Sequence, residues 1–317
     1  MTSGTGNLFV ETEPLAEAIE HTPPSGRISR GMLRDGFARL RRMPAPFTCF
    51  GIVVVLLAVA LLSSAGVQFT PYGFDQTNRA LLSAAPSYAH PMGTDELGRD
   101  LLTRIIYGAR LSISIGFFTA AVAFVLGTTY GSIAGYKGGK IDAFLMRGVD
   151  VAYSMPDLLV MILIRVMLPV ELGRSTFGIL LALGLVSWMG TARLVRAQLL
   201  QLRHEEFIDA ALAAGQSSLN ILTKHLLPNA IGPIIVALTF TVPSAILAES
   251  TLSFIGLGLS PPACSWGTLA NDGWRSLRVH PHLILFPSLF IFITVLSFNI
   301  LGDGLRDAFD PRTRLGK

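Results

Sequence analysis

Arg165 and Glu249 are charged side chains set in, or at the edge of, long apolar runs of a 317-residue chain. A charge at the centre of a bilayer costs roughly 2.5–3.5 kcal/mol on insertion scales, so such a residue must find a partner, a wet cavity or the surface. Arg165 has two readings. Either it meets a substrate carboxylate or a neighbouring helix, or its span is short and it snorkels to the outer surface near Glu171. The second is the expectation. Glu249 follows the apolar run 229–248 and falls near the outer end of that span, where it lines an outer gate or bonds to a neighbour. Both are kept as candidate pathway residues. His280 and His282 flank Pro281, but two histidines with no third ligand nearby make a poor zinc site, and no metal is expected.

Catalytic patterns are missing elsewhere too. No H-E-x-x-H and no nucleophile elbow occurs. A phosphate loop needs G-x-x-x-x-G-K-[ST]. The nearest approach, Gly139-Lys140, has Ala134 at the first glycine position and Ile141 in place of Ser or Thr. The chain therefore holds no nucleotide of its own and is read as non-catalytic.

The residues richest in information lie in 205–228. Glu205, Glu206, Phe207, Ile208, Asp209, Ala210, Ala211, Leu212, Ala213 and Ala214 favour a helix. Gly215 supplies the left-handed conformation that ends one. Ser217 or Ser218 can cap a second helix, and Pro228 interrupts just before the next apolar run. A helical hairpin of this length is long for a simple connection. It suits docking of a soluble partner.

The elements that hold these residues follow from composition. Hydrophobic residues make up 51% of the chain and charged ones only 15%, against roughly 25% charged in soluble domains. Uncharged runs at 47–67, 111–136, 175–192, 229–248 and 283–301 are long enough to span a membrane, and 153–168 is a weaker sixth, interrupted by Asp157 and Arg165. The fold expected is an all-α membrane protein of six spans. The first run has no small-residue cleavage site after it, so it reads as a retained anchor. Cys49 and Cys264, the only cysteines, should lie on opposite sides of the bilayer and stay unpaired.

Lys and Arg concentrate before the first span, between the second and third, between the fourth and fifth, and in the tail. That bias puts both termini in the cytoplasm. Residues 1–46 are expected to form a cytoplasmic tail, polar and disordered over 1–26, with a basic juxtamembrane stretch that either lies as a helix on an anionic lipid surface or is simply a solvated positive flank. The span 47–67 follows, then an outer segment 68–110, a core 111–303 with five spans and the loop 205–228, and a cytoplasmic tail 304–317. Within the outer segment Thr94 or Asp95 is placed to cap a short amphipathic helix on the outer surface. Ala123, Gly127, Gly131 and Gly135 recur at a four-residue spacing, which lets another helix approach closely. Pro233 and Pro243 should kink the fifth span.

The 205–228 loop resembles the signature of permease subunits of ATP-binding-cassette importers. That signature is an acidic-Ala-Ala triplet, a glycine and a following Leu-Pro, matched here by Asp209, Ala210, Ala211, Gly215, Leu227 and Pro228, with Asp209 standing where Glu is usual. His225 before Leu226-Leu227-Pro228 is similar to the peptide-importer branch. So are Gly93-Thr94-Asp95 with Gly98-Arg99-Asp100, Gly108-Ala109-Arg110, Ser265-Trp266-Gly267 and Gly302-Asp303-Gly304-Leu305-Arg306-Asp307. Together they resemble the C-type permease of oligopeptide and dipeptide importers over about residues 30–312. The resemblance implies a type I importer permease fold in a bacterial inner membrane. It implies a second homologous permease, two ATPase subunits that hold ATP and Mg, and a periplasmic or lipid-anchored peptide-binding protein, with no nucleic acid. It also implies that Glu206, Asp209, Ala210, Ala211, Gly215, His225, Leu227 and Pro228 couple the chain to an ATPase. Related importers carry glutathione, nickel complexes or antimicrobial peptides, so the substrate stays open. An ion-coupled transporter acting alone is the other class, but such proteins usually show internal repeats and would not need the hairpin.

Overall fold

The computed structural model of the chain describes residues 31–173 and 175–309. The tail expected to be disordered, 1–26, and the last residues of 304–317 lie outside the described residues. Every element among the described residues is helical. Helix α1 (Gly31–Leu40) leads into α2 (Pro44–Ser64). Pro44 stands at the helix start, where its missing N–H breaks no bond, so α2 begins ahead of the expected 47–67. Its buried residues Cys49, Val53 and Ala60 fall on one face.

Helix α3 (Leu101–Val122) runs through a π turn at Ala123–Gly127 into α4 (Thr128–Lys137), making one apolar rod of 37 residues. Gly138 and Gly139, both at positive φ, end that rod and open α5 (Gly139–Tyr153). A break at Ser154–Pro156 precedes α6 (Asp157–Met167), and α7 (Thr176–Leu202) follows after a single turn at Val170–Gly173. Helix α8 (Glu206–Ala213), a short helix Ser218–Ile221, a π turn Leu222–Leu226 and α9 (Leu227–Leu252) come next. Helix α10 (Trp266–Arg275) and α11 (His282–Phe309) complete the chain. Five of the rods are long and apolar enough to cross a membrane: Pro44–Ser64, Leu101–Lys137, Thr176–Leu202, Ser218–Leu257 and His282–Phe309.

The small-residue spacing sets the packing at the centre. A Cβ added to Gly127 would lie 2.6 Å from the Thr191 side chain, one on Gly131 would strike the Ala192 carbonyl, and one on Gly135 would sit 3.0 Å from the Arg196 carbonyl. Val122 meets Gly184 in the same series. Numbers rise together on both helices, so the α3–α4 rod and α7 run parallel. The chain must therefore travel back between Lys137 and Thr176. It does so in two pieces. Asp142 of α5 pairs with Arg196 at 2.5 Å, Asp150 pairs with Arg193 at 2.6 Å, and Met161 of α6 packs with Ile179 and Leu183. As α5 and α6 advance, their partners on α7 fall in number. The weak third span expected at 153–168 is thus a return path broken at Pro156, whose ring cannot continue the preceding helix. Helix α6 alone, at 11 residues, reaches only about 16 Å and cannot cross a core of about 30 Å.

The outer segment folds as a cap on α3. Asp95 accepts from Arg99 Nε at 2.7 Å and from Arg104 at 2.5 Å, while its other oxygen takes the backbone N–H groups of Leu97 and Arg99. Asp100 caps α3 by accepting from the Thr103 N–H at 2.8 Å, and it also bonds His90 Nδ1 at 2.8 Å. The expected separate helix capped by Thr94 or Asp95 does not form, because Arg104 draws Asp95 into an ion triad and leaves the capping role to Asp100. Trp266, fully buried, reaches across to the Ile105 carbonyl at 3.0 Å and fastens α10 to α3.

Replacing Gly131 with Ala should cost about 1–3 kcal/mol by overpacking, whereas Gly51→Ala, with nothing within 4 Å of the added methyl, should be neutral. Thermal unfolding of the detergent-purified protein reads both. Equal stability of the two variants would remove the close approach as a determinant of the fold.

Candidate functional site

The hairpin forms as the residue types dictate. Helix α8 ends in a Schellman arrangement: the Gly215 N–H bonds the Leu212 carbonyl at 2.9 Å and the Gln216 N–H bonds the Ala211 carbonyl at 3.1 Å. Gly215 has φ +72, and nothing lies within 4 Å of where its Cβ would be, so the need for glycine is conformational and not steric. Of the two serines, Ser217 is the cap, accepting from the Asn220 N–H. Ile208, Ala211, Ile221 and Leu226 are buried against Val195 and Leu199 of α7. That places the hairpin beneath the feet of α7 and α9. Glu206, Asp209 and Ala210 are exposed, as are the large side chains Leu212 and Leu219 on either side of the turn.

His225 bonds Gln216 Oε1 at 2.8 Å, and its carbonyl takes the Asn229 amide at 2.6 Å. Leu227 and Pro228 open α9. Pro228 does not stop the helix as expected. The preceding turn widens to π geometry over Leu222–Leu226, one of the local adjustments by which a helix accommodates a proline. The hairpin's second arm and α9 are consequently one rod, Ser218–Leu257. Pro233 and Pro243 both lie within continuous helix.

A cavity of about 500 Å³ opens between α3, the α5–α6 break, α7 and α9. Tyr153, Asp157, Ser187, Thr241 and Ser244 line it together with apolar side chains. Thr119, 1% exposed, also lines it, and its hydroxyl has no hydrogen-bond partner among the described residues, nor has that of Ser187. The hydroxyls of Thr119 and Ser187 were not apparent from the sequence; the only signal was polar residues recurring within apolar runs.

Arg165 and Glu249 adjoin this cavity without lining it. Arg165 is buried at 4% exposure and donates to the carbonyls of Leu257 at 2.6 Å and Gly258 at 3.0 Å. It does not snorkel to the surface near Glu171, because the turn at Gly256, φ +84, points two carbonyls at it. Glu249 is wholly buried, and its Oε1 accepts from Ser253 at 2.7 Å and Ser265 at 2.6 Å. The two charges lie within electrostatic reach of each other. His280 and His282 face edge-on at 6.0 Å, with no third metal ligand beside them among the described residues. Cys49 and Cys264 are both free and buried; burial pushes the Cys264 thiol up and makes it a poor nucleophile.

A family model described as "Binding-protein-dependent transport system inner membrane component" matches residues 127–315. The oligopeptide transport system permease protein OppC of Bacillus subtilis (strain 168) is 38% identical over 308 residues, covering 97% of this chain and 98% of that protein. The dipeptide transport system permease protein DppC of the same organism is 42% identical over 289 residues, covering 91% and 88%. Among solved structures, a chain of the MetNI methionine ABC transporter, in an inward facing conformation, matches with TM-score 0.54 at 19% identity, covering 66% of this chain and 98% of that one. That likeness is one of fold.

Replacing Arg165 with Ala should lower stability by about 1–3 kcal/mol for each carbonyl left without a donor, and Arg165→Lys should recover part of it. Thermal melts of the purified protein test this; an Ala variant as stable as the parent would mean that the Gly256 turn does not depend on the guanidinium.

Proposed function

The chain belongs to the family of binding-protein-dependent transport system inner membrane components, and from that premise we propose that it forms half of the pathway of an ATP-driven peptide importer. Relatives named as oligopeptide and dipeptide permeases match nearly its whole length, which supports peptide as the cargo. A second, homologous permease completes the pathway by walling the open side of the cavity. A separate binding protein delivers peptide from outside, and two ATPase subunits hold ATP and Mg at the cytoplasmic face. Both termini lie in the cytoplasm of a bacterial cell whose inner membrane the chain crosses, a reading supported by the distribution of Lys and Arg.

The observation that carries the coupling half of this reading is the hairpin turned at Gly215. It presents exposed Leu212 and Leu219 beside the exposed acids Glu206 and Asp209, an apolar patch with a polar border that suits a protein partner. Its buried face is packed on α7, and its second arm is continuous with α9. A push on the hairpin therefore moves two cavity-lining helices at once. ATP-driven closure of the partner would bias a two-state rearrangement of the cavity. In this scheme Glu206, Asp209 and Ala210 face the ATPase, Ala211 seats the hairpin, Gly215 turns it, and His225, Leu227 and Pro228 join the second arm to α9.

Left-handed backbone costs a residue with a Cβ roughly 1–2 kcal/mol, and more for a β-branched one. Gly215→Val should cut ATP-dependent uptake about tenfold or more, which corresponds to about 1.4 kcal/mol, with membrane insertion unchanged. Gly215→Asn, which tolerates that conformation, should keep most of it. Uptake into vesicles with and without the ATPase subunits is the measurement. Wild-type uptake that persists without them would sink the coupling role.

A further inference from the structure

The break between α5 and α6 does more than shorten a span. It leaves Asp157 at the start of α6, solvent-exposed on the chain's own surface and lining the cavity opposite Ser187 of α7 and Thr241 and Ser244 of α9. These partners lie near the middle of Thr176–Leu202 and Leu227–Leu252. Asp157 is thus a carboxylate at mid-membrane depth. It is the sole Asp, Glu, Lys, Arg or His among the lining residues, and it forms none of the ion pairs or side-chain hydrogen bonds among the described residues. The neighbouring acids are satisfied: Asp142 by Arg196 and Asp150 by Arg193. Arg165, on the same helix, is buried and gives its Nη2 to the Leu257 and Gly258 carbonyls; it does not line the cavity.

A carboxylate at that depth cannot face lipid tails without a cost of several kcal/mol. It faces water or a cation. The remaining polar groups argue for a ligand. Thr119 and Ser187 line the same space, and their hydroxyls, enclosed in the chain by itself, have no partner among the described residues, which is expensive unless a small side-chain movement lets something bond them. Thr241 and Ser244 donate to carbonyls of their own helix, at Ala237 and Phe240, and keep acceptor capacity toward the cavity. One anion beside free hydroxyls on a mostly apolar wall matches a flexible chain that has one cationic end and amide groups along its length. At about 500 Å³ the cavity is within the range of small-ligand sites, roughly 300–1,000 Å³.

We propose that Asp157 is the cation-binding residue of the translocation cavity, receiving the α-ammonium end of the passing peptide while Thr119 and Ser187 bond its amide groups. This rests on the peptide-importer reading and adds the polarity with which cargo is held. Asp157 pairs with the ammonium only while cargo occupies the cavity, so it selects for a positive end without fixing the side chains that follow. Passage needs such weak, repeatable contacts, since a site that held the whole peptide tightly would not release it.

The test uses the assembled importer with its own ATPase subunits and binding protein. In an Asp157→Cys variant, a cationic, membrane-impermeant methanethiosulfonate should label the new thiol, and saturating free-amine peptide should slow labelling about tenfold; wild type, with Cys49 and Cys264 buried, sets the background. Asp157→Asn should reduce uptake of the same peptide about tenfold, the equivalent of about 1.4 kcal/mol. Peptide affinity of the binding protein, a separate chain, should not change, and Asp157→Glu should restore most of the uptake. No labelling in the assembled importer would overturn the proposal, because the side chain would then be covered by the second permease or by lipid. Wild-type uptake by the Asn variant would overturn it as well. Failure of the peptide reading is separate and shows as absence of peptide uptake by the wild type itself.

Discussion

The near-contact of backbones between the α3–α4 rod and α7 is the constraint from which the rest of the architecture follows. Three glycines on one side let carbonyls and side chains of the other lie where methyl groups would stand. Because that contact joins two helices of the same direction, the intervening chain is forced to recross, and it does so under restraint from Asp142–Arg196 and Asp150–Arg193. The recrossing segment is pinned to α7 along α5 but meets a proline before it finishes. What would have been a plain sixth rod becomes two, and the space left at the break is the cavity.

Charge is handled in three different ways within this frame. Arg165 serves as a bracket through Nη2, which donates to two carbonyls of one backbone turn, while its Nε and Nη1 are buried without a partner among the described residues. Glu249 is enclosed and satisfied on one oxygen by two serine hydroxyls, one from its own rod and one from the start of α10. Asp157 is left open. The first two tie the Leu252 end of α9 to α6 and α10, and only the third lines the cavity. Burying a pair of opposite charges seldom adds much stability, so the worth of Arg165 and Glu249 lies in specifying where these elements meet.

Much of this was legible from residue order alone. The long uncharged runs located the spans, the four-residue glycine spacing located the tightest packing, and Gly215 followed by two serines located the turn and narrowed its cap to Ser217 or Ser218. The failures share a cause. Asp95 and Asp100 are equally good caps by local rules, and the choice was made by Arg104, a turn into the next helix. Arg165 was expected to snorkel to the surface near Glu171 because its span is short, yet its acceptors come from 92 and 93 residues away. Pro228 reads as a stop unless the preceding turn can widen, which no local rule reveals. In each case a distant partner outweighed a sound local preference. Domain-scale outlines, by contrast, depend on hydrophobic length, and that is written locally.

The π turns at Ala123–Gly127 and Leu222–Leu226, each inside a continuous rod, have a geometric corollary. An α-helix advances about 100° and 1.5 Å with every residue, and a π turn holds a surplus residue within its circuit. Each one therefore resets the angular phase of everything downstream. The inward stripe of the rod that starts at Ser218 is written in one phase before Leu222 and in a second from there through Leu252. A periodicity averaged over its whole length blurs both. Related chains that lost one residue at such a site would keep an unbroken rod yet turn a different flank to their neighbours, so a lone gap placed there in a comparison of sequences marks a rotation of the helix and not a missing loop.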